Sequence, residues 1–302
     1  MYQKYHRTRI APTPSGYLHL GNVLSFVLTA TLARRHEARI LLRIDDLDQP
    51  RVRTEYVQDI FDTLDYLEIP WQEGPRNAQE FVRDYSQLHR VEVYRQALES
   101  LKEQGRLFAC NCTRSGLQAK SAAYNGGCQI KTLPWDSQDV CWRVYTDDHQ
   151  PLSLKTYGGV LAATLPSDQE YFVVRKKDGH AAYQLTSLVD DDYFKVDLIV
   201  RGEDLWASTL AQLHLARLVG IHRFGDATFF HHTLLMDGPE KKLSKSEGAT
   251  SVRYLRKEGK TRSHIYTLIA NRLGVEAPVT GWEELGNILL DQQLVFRQGK
   301  QL

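Results

Sequence analysis

The stretch APTPSGYLHLGNVLSF, from Ala11 to Phe26, decides the fold that this sequence predicts. It overlaps the end of the extended segment RTRIAP, which its prolines stop because proline has no backbone N–H to donate to a sheet. After Gly21 the apolar residues recur at the spacing of one helix face. The stretch therefore predicts a strand, a glycine-rich turn and a helix, the first unit of a parallel α/β sheet.

Strand and helix signals alternate along the first third of the chain. The run ARILLRIDD is apolar between charges, as is typical of a buried parallel strand. TEYVQDIFDTLDYL has helical spacing with Thr54 as its expected N-cap, and residues 84–105 predict one long helix that ends at Gly105. This alternation predicts a doubly wound, Rossmann-type nucleotide-binding sheet, whose ligands bind beyond the carboxyl ends of the strands.

The chain divides into four predicted regions. Residues 1–105 and 171–238 are expected to form the two halves of the α/β domain. Residues 106–170 interrupt the pattern with glycines, prolines and cysteines, so they predict an inserted arm. Residues 239–302 predict a lysine-rich loop and a small helical region.

Composition and charge limit the classes of function. The chain has 302 residues, of which 42% are hydrophobic and 25% charged, as in an ordinary globular protein. No apolar run approaches the roughly 20 residues of a membrane span, and the N-terminus lacks a signal-peptide stretch. We therefore expect a cytoplasmic protein with reduced cysteines and no membrane partner. Residues 241–264 carry eight lysines and arginines against two glutamates, which predicts either a polyanion-binding patch or a solvated helical face.

Two polar segments predict a nucleotide site. The turn before the first helix matches neither the dinucleotide fingerprint nor the P-loop, but a helix N-terminus offers N–H donors to phosphate. His19 and Asn22 would lie on one side of that N-terminus, although a histidine there is also explained as a cap or a packed residue. Far downstream, KLSKS offers two lysines and two hydroxyls, which suit a triphosphate; solvation is the alternative for such a loop.

Taken together, these motifs resemble the class I aminoacyl-tRNA synthetases. PSGYLHLGN is similar to their HIGH signature and KLSKS to their KMSKS signature. TRIAPTPSGYLHLG, LLRIDDLDQPR, AAYQLTSLVDD, IVRGEDL and KKLSKS follow one another as in the glutamyl branch. The short chain after KLSKS resembles the short paralogues of that branch, which have no anticodon-binding domain. These ligases activate glutamate with ATP and magnesium and transfer it to queuosine at the wobble position of tRNA(Asp), and the expected state is a monomer.

The resemblance also implies roles for individual residues. The implied glutamate-binding residues are Arg9, Ile10, Ala11, Pro12, Thr13, Asp45, Tyr183 and Arg201. The implied ATP-binding residues are His19, Gly21, Asn22, Lys242, Ser244 and Lys245. Of these, His19, Asn22 and Lys245 would be catalytic. Two positions depart from the family, since Asp45 stands in place of a glutamate and Asn22 in place of the second histidine of HIGH.

The cysteines predict a metal site in the inserted arm. Thiolates at i and i+2, with a third 16 residues later, can converge on a tetrahedral ion; they are Cys110, Cys112 and Cys128. The resemblance implies structural zinc with Tyr124 as the fourth ligand, whereas Cys141 and His149 are chemically more ordinary candidates. The alternative is that the cysteines are small buried apolar residues.

Three other functions stay open at the level of sequence. The chain could be a truncated glutamyl-tRNA synthetase that charges the 3′ end of tRNA(Glu). It could be another nucleotidyl transferase with the same turn, although such an enzyme would not need Arg9, Tyr183 and Arg201 together. It could also be a non-catalytic paralogue that binds tRNA.

Overall fold

The computed structural model describes residues 3–112, 127–137, 139–146, 150–236 and 251–296. The α-helices in these ranges are α1 (Leu20–Arg35), α2 (Thr54–Tyr66), α3 (Ala78–Glu80), α4 (Val91–Glu103), α5 (Tyr183–Tyr193), α6 (Trp206–Val219), α7 (His222–Asp226), α8 (Val252–Lys257), α9 (Arg262–Arg272) and α10 (Trp282–Asp291). The strands are β1 (Arg7–Ile10), β2 (Arg39–Leu42), β3 (Leu107–Cys110), β4 (Cys141–Val144), β5 (Leu152–Thr156), β6 (Gly159–Ala163), β7 (Val173–Arg175), β8 (Leu198–Gly202) and β9 (Thr228–His232). None of the helices within these ranges is long and apolar enough to cross a membrane.

The chain forms two compact units. Unit 1 consists of Met1–His89, Val196–Asp204 and Phe229–Leu302, and unit 2 of Arg90–Lys195 and Leu205–Thr228. The four regions predicted from the sequence are not tested by this division and stay a prediction.

Unit 1 begins with the predicted strand, helix and parallel strand. β1 and β2 pair in parallel from Arg7↔Arg39 to Ile10↔Leu42, and α1 connects them. Next to β1, the backbone N–H of Asp197, just before β8, donates to the carbonyl of Arg7 at 3.0 Å. The predicted α/β class with parallel sheet elements is thus confirmed.

Helix α1 is the centre of unit 1 and is buried on almost every side. On one side α10 packs so closely that a Cβ added at Gly286 would lie 1.8 Å from the Oγ1 of Thr31. Only glycine permits this approach of two helices, because any side chain would occupy the space of the threonine hydroxyl.

Unit 2 combines antiparallel strands with three packed helices. β4 pairs antiparallel with β3 and β7, and β5 and β6 form an antiparallel hairpin. Helix α4 packs against α5 and α6. At their junction the buried carboxylate of Asp190 accepts two hydrogen bonds from Arg90 and one from the hydroxyl of Tyr94 at 2.6 Å. Burial and the Asp190 charge raise the pKa of Tyr94, so the phenol remains a donor.

Two helix predictions need correction. The helix predicted over residues 84–105 begins only at Val91, because the chain before it is bound elsewhere. The carboxylate of Asp46 accepts from the hydroxyl of Ser86 at 2.6 Å and from the N–H of Gln87 at 2.8 Å. These bonds hold Ser86 in an extended conformation with ψ 143°, between the π-helical turn Phe81–Tyr85 and the 3-10 turn Gln87–Arg90, so the α-helix does not begin before Val91. At the start of α2, Thr54 is the first helical residue and not the N-cap.

Candidate functional site

The turn before α1 places His19 and Asn22 as the sequence predicts. His19 is the N-cap of α1. Its Nδ1 accepts from the N–H of Gly21 at 3.1 Å, and its own N–H donates to the Oδ1 of Asn22 at 3.0 Å. Because Nδ1 accepts, the neutral imidazole carries its hydrogen on Nε2. The two side chains therefore cap the helix with their acceptor atoms, while their donor groups are the Nε2–H and the amide NH₂.

Gly21 explains why the imidazole can lie against the first turn of the helix. A Cβ at this position would be 3.0 Å from both the Cε1 and the Nδ1 of His19. This distance is shorter than an ordinary carbon contact, so a larger residue would push the ring away. The glycine of the HIGH-like motif is therefore required by contact with the histidine two residues before it.

The chain that follows the KLSKS segment returns to the same turn. Ser251 forms an antiparallel bridge with His19, and the N–H of Val252 donates to the carbonyl of Leu18 at 2.8 Å. Lys242, Ser244 and Lys245 lie outside the described residues, so their predicted roles stay predictions. The structure does place the first turn of α8, which begins seven residues after Lys245, on the backbone of the histidine turn.

Most of the predicted glutamate-binding residues of unit 1 lie together at the ends of neighbouring strands. Arg9 is buried in β1 and donates its Nη1 to the carbonyl of Val200 in β8 at 3.0 Å. Arg201 is the next residue of β8, and its guanidinium lies over the ring of Phe229, 5.4 Å from the centroid. Two cationic side chains are thus buried at adjacent positions, where they can bind carboxylates.

The segment after β1 lies beside the segment after β2. The N–H of Arg43 donates to the carbonyl of Ile10 at 2.9 Å, and the N–H of Asp45 donates to the carbonyl of Pro12 at 3.0 Å. Residues 10–13 and Asp45 are therefore neighbours, as the resemblance implies. Tyr183 is the first residue of α5 in unit 2, and 42% of its surface is exposed.

The sequence interpretation missed Arg43. Its guanidinium donates Nε to one oxygen of Asp45 at 2.7 Å and Nη2 to the other at 3.0 Å, and both side chains are buried. Alternation along an extended chain places residues i and i+2 on the same face, so the spacing R-I-D could have indicated this pair. The negative charge of Asp45 is therefore compensated within the protein by the guanidinium of Arg43.

The cysteines of unit 2 converge as predicted. The sulfur atoms of Cys110, Cys112 and Cys128 all lie within 4.8 Å of one another, and those of Cys112 and Cys128 are 3.5 Å apart. Cys141 lies opposite Cys110 in the β3–β4 pair, and its thiol donates to the Cys110 carbonyl at 3.3 Å. The neighbouring thiol of Cys141 lowers the pKa of Cys110. Three soft ligands in this arrangement fit Zn²⁺.

The two other candidate ligands, Tyr124 and His149, lie outside the described residues.

The basic segment that begins at Lys241 is only partly available to a polyanion. Arg256 forms an ion pair with Asp59, and Arg262 forms one with Glu68. The guanidinium of Arg253 lies 4.2 Å from the centroid of a tyrosine ring. In the part of the segment that the structure describes, these three arginines bind other parts of the protein, which weakens the interpretation as one continuous patch.

The comparisons with known proteins agree with one another on the family. Residues 6–292 match the family model described as the catalytic domain of tRNA synthetases class I (E and Q). The chain is 32% identical over 289 residues to a Glutamyl-Q tRNA(Asp) synthetase of Nitratidesulfovibrio vulgaris, covering 89% of this chain and 86% of that protein. It is 34% identical over 276 residues to a Glutamyl-Q tRNA(Asp) synthetase of Synechococcus sp. (strain CC9605), covering 90% and 85%.

Longer proteins match as well. Identity to Glutamate–tRNA ligase 2 of Syntrophus aciditrophicus is 28% over 297 residues, covering 92% of this chain but only 60% of that protein. The crystal structure of a glutamate-tRNA synthetase from Elizabethkingia anophelis superposes with a TM-score of 0.73 at 20% identity, over 93% of this chain and 65% of that chain. The structural likeness bears on the fold alone.

Proposed function

The chain belongs to the class I tRNA synthetases (E and Q), and we propose that it activates glutamate with ATP and transfers the glutamyl group to queuosine at the wobble position of tRNA(Asp). Family membership confirms the resemblance predicted from the motifs. The observation that carries the proposal is the contact between the His19 turn and the chain that follows KLSKS, where Ser251 is bridged to His19 and Val252 donates to Leu18.

The first step is adenylation. An oxygen of the glutamate α-carboxylate attacks the α-phosphorus of ATP in line, and pyrophosphate leaves, which gives glutamyl-adenylate. No protein nucleophile is needed, so catalysis consists of positioning and of charge stabilisation. The Nε2–H of His19, the amide of Asn22 and the N–H groups at the start of α1 would donate to the phosphates. Magnesium would arrive with ATP and would neutralise part of the negative charge of its phosphates.

Lys245 would contribute from the opposite side. It stands six residues before Ser251, and six residues of extended chain span at most about 22 Å. Because Ser251 is bridged to His19, this length is sufficient for the ammonium to reach a nucleotide at the turn. An ammonium there would neutralise charge as it develops on the phosphates.

The glutamate would be bound by charge pairing at the strand ends. The forks of Arg9 and Arg201 suit its carboxylates, and Asp45 suits its ammonium group. The two bonds from Arg43 hold the carboxylate of Asp45 in place beside residues 10–13.

In the second step a hydroxyl of the queuosine cyclopentene ring attacks the activated carbonyl, and AMP leaves. The names of the relatives from Nitratidesulfovibrio and Synechococcus support this acceptor. The second candidate function is charging of the 3′ end of tRNA(Glu), which the match to Glutamate–tRNA ligase 2 favours.

We also infer that Cys110, Cys112 and Cys128, with a fourth ligand, would bind a structural zinc ion. We further propose that the protein is a monomer and that it is cytoplasmic.

Pyrophosphate exchange tests the activation step. We expect glutamate, but not aspartate or glutamine, to drive exchange of labelled pyrophosphate into ATP. Arg201→Lys keeps the charge but loses the planar fork, so it should raise the KM for glutamate at least tenfold and leave the KM for ATP unchanged. Arg95→Lys, on the exposed face of α4, is the matched control. Absence of exchange with and without tRNA would instead favour a binding protein.

A further inference from the structure

Both backbone polar groups of Leu18 are bonded to elements that are distant in sequence. Its carbonyl accepts from the N–H of Val252 in α8 at 2.8 Å. Its N–H donates to the Oδ2 of Asp59 in α2 at 3.3 Å. Leu18 precedes His19 directly, so the position of the imidazole depends on these two bonds.

Asp59 connects the two elements to each other. Its second oxygen, Oδ1, accepts from the Nη2 of Arg256 in α8, and its side chain is only 3% exposed. A buried carboxylate that lost its arginine would keep the desolvation penalty without the compensating charge. The ion pair therefore favours one placement of α8 against the histidine turn.

An aromatic contact reinforces the same placement. The guanidinium of Arg253 lies over the ring of Tyr17, 4.2 Å from the centroid. Tyr17 in turn packs edge to face against Tyr56 of α2, with the ring centroids 4.9 Å apart. Two successive turns of α8 thus contact α2 and the residues just before His19.

We propose that Asp59 and Arg256 are positioning residues for adenylation, which fix the register between His19 and the helix that follows the lysine-rich segment. The proposal rests on the proposed function, because it gives the pair a task in that reaction. Neither side chain has to touch the substrate. Asp59 acts on His19 through the Leu18 N–H, and Arg256 holds α8 and the carboxylate of Asp59 in that placement. A displacement of about 1 Å at a reacting centre can cost about 100-fold in rate.

The test compares two ion pairs that join the α2 region to the C-terminal helices. Asp59→Asn removes the charge while keeping the shape, and we expect the kcat of glutamate-dependent pyrophosphate exchange to fall about 10- to 100-fold. The KM for glutamate should stay within about twofold. Arg256→Gln should give a loss of the same size, and the double variant should lose no more than either single variant, because the two residues act as one unit.

Glu68→Gln is the matched control. Glu68 pairs with Arg262, also between the α2 region and a C-terminal helix, but this pair contacts neither Leu18 nor His19. We expect its kcat to stay within about twofold of the unsubstituted chain. Thermal unfolding of all variants identifies those that are folded at the assay temperature. If Asp59→Asn does not fold, the comparison of Arg256→Gln with Glu68→Gln decides.

The outcomes separate this inference from the function on which it rests. Unchanged kcat in folded Asp59→Asn and Arg256→Gln, alongside an active unsubstituted chain, would overturn the inference alone. So would an equal loss in Glu68→Gln, since it would reveal a general effect of weakened helix packing. Absence of exchange in the unsubstituted chain would overturn the proposed function and this inference with it.

Discussion

Replacing His19 by asparagine separates the two tasks that this side chain can perform. As N-cap of α1, the histidine accepts the N–H of Gly21 through Nδ1. As a phosphate ligand, it would donate through Nε2. Asparagine is among the best N-cap residues, so His19→Asn keeps an acceptor for the helix start. It cannot present a donor where the far side of the imidazole ring does, because its side chain is too short.

The expected magnitudes differ for the two tasks. Loss of one preorganised donor to a developing negative charge costs about 100- to 1,000-fold in kcat, or about 2.7–4 kcal/mol. Loss of a cap costs about 1 kcal/mol of stability, but asparagine avoids most of it. His19→Asn should therefore lower exchange by that factor while changing the free energy of unfolding by less than about 0.5 kcal/mol. His19→Ala should lose as much activity and about 1 kcal/mol of stability as well.

Two assays on the same preparations check this prediction: glutamate-dependent pyrophosphate exchange and urea unfolding. Gly21→Ala serves as a third variant, since its Cβ would lie 3.0 Å from the imidazole and displace it without removing it. We expect intermediate activity from this variant. If His19→Asn retained exchange within twofold, His19 would be a helix cap and nothing more, and the proposed phosphate contact would be refuted.

Three further predictions concern stability. Gly286→Ala should lower the free energy of unfolding, measured in urea, by about 1–3 kcal/mol, because its Cβ would overlap the hydroxyl of Thr31. Adding Thr31→Ala should recover much of this loss, and equal stability of Gly286→Ala and the unsubstituted chain would contradict the prediction. Burial lowers the pKa of His232 from its usual 6.5, so as the pH falls below 6.5 the imidazole is protonated in the unfolded chain but not in the folded one, and the free energy of unfolding should drop by about 1.4 kcal/mol per pH unit. His232→Gln should remove this contribution from unfolding curves measured at several pH values, and an unchanged pH dependence would refute the assignment. Zn²⁺ at 100 times its Kd should stabilise the chain by about 2.7 kcal/mol in thermal unfolding, and Cys112→Ser should abolish this stabilisation. Stabilisation by zinc that persists in Cys112→Ser would show that the cysteine cluster is not the zinc site.

The first strand, turn and helix were predictable because their signals are local. Prolines after β1, apolar residues at helical spacing and a polar N-cap all act within a few residues of one another. The late start of the predicted long helix was not predictable, because Ser86 and Gln87 are hydrogen-bonded to Asp46, which lies 40 residues earlier in the chain. Local periodicity carries no information about such a partner.

The candidate site shows the same division. Motif resemblance indicated Arg9, Asp45 and Arg201 as one site. The structure places Arg9 in β1 next to Val200 of β8, the strand that holds Arg201, and places Asp45 three residues after β2, beside Pro12. The sequence did not indicate that Arg256 is bound to Asp59, because the two residues are 197 positions apart. The simplest interpretation of the local charges was a basic segment. Ion pairs of this kind depend on how the helices pack in the folded protein, so the local sequence does not predict them.

Glutamate acceptance by tRNA(Asp) tests the central claim most directly. The measurement supplies the purified chain with labelled glutamate, ATP and either tRNA(Asp) that carries queuosine, tRNA(Asp) without it, or tRNA(Glu). We predict stable incorporation of label only into tRNA(Asp) that carries queuosine. Incorporation at the 3′ end of tRNA(Glu), or equal labelling of tRNA(Asp) with and without the modified base, would contradict the proposed transfer.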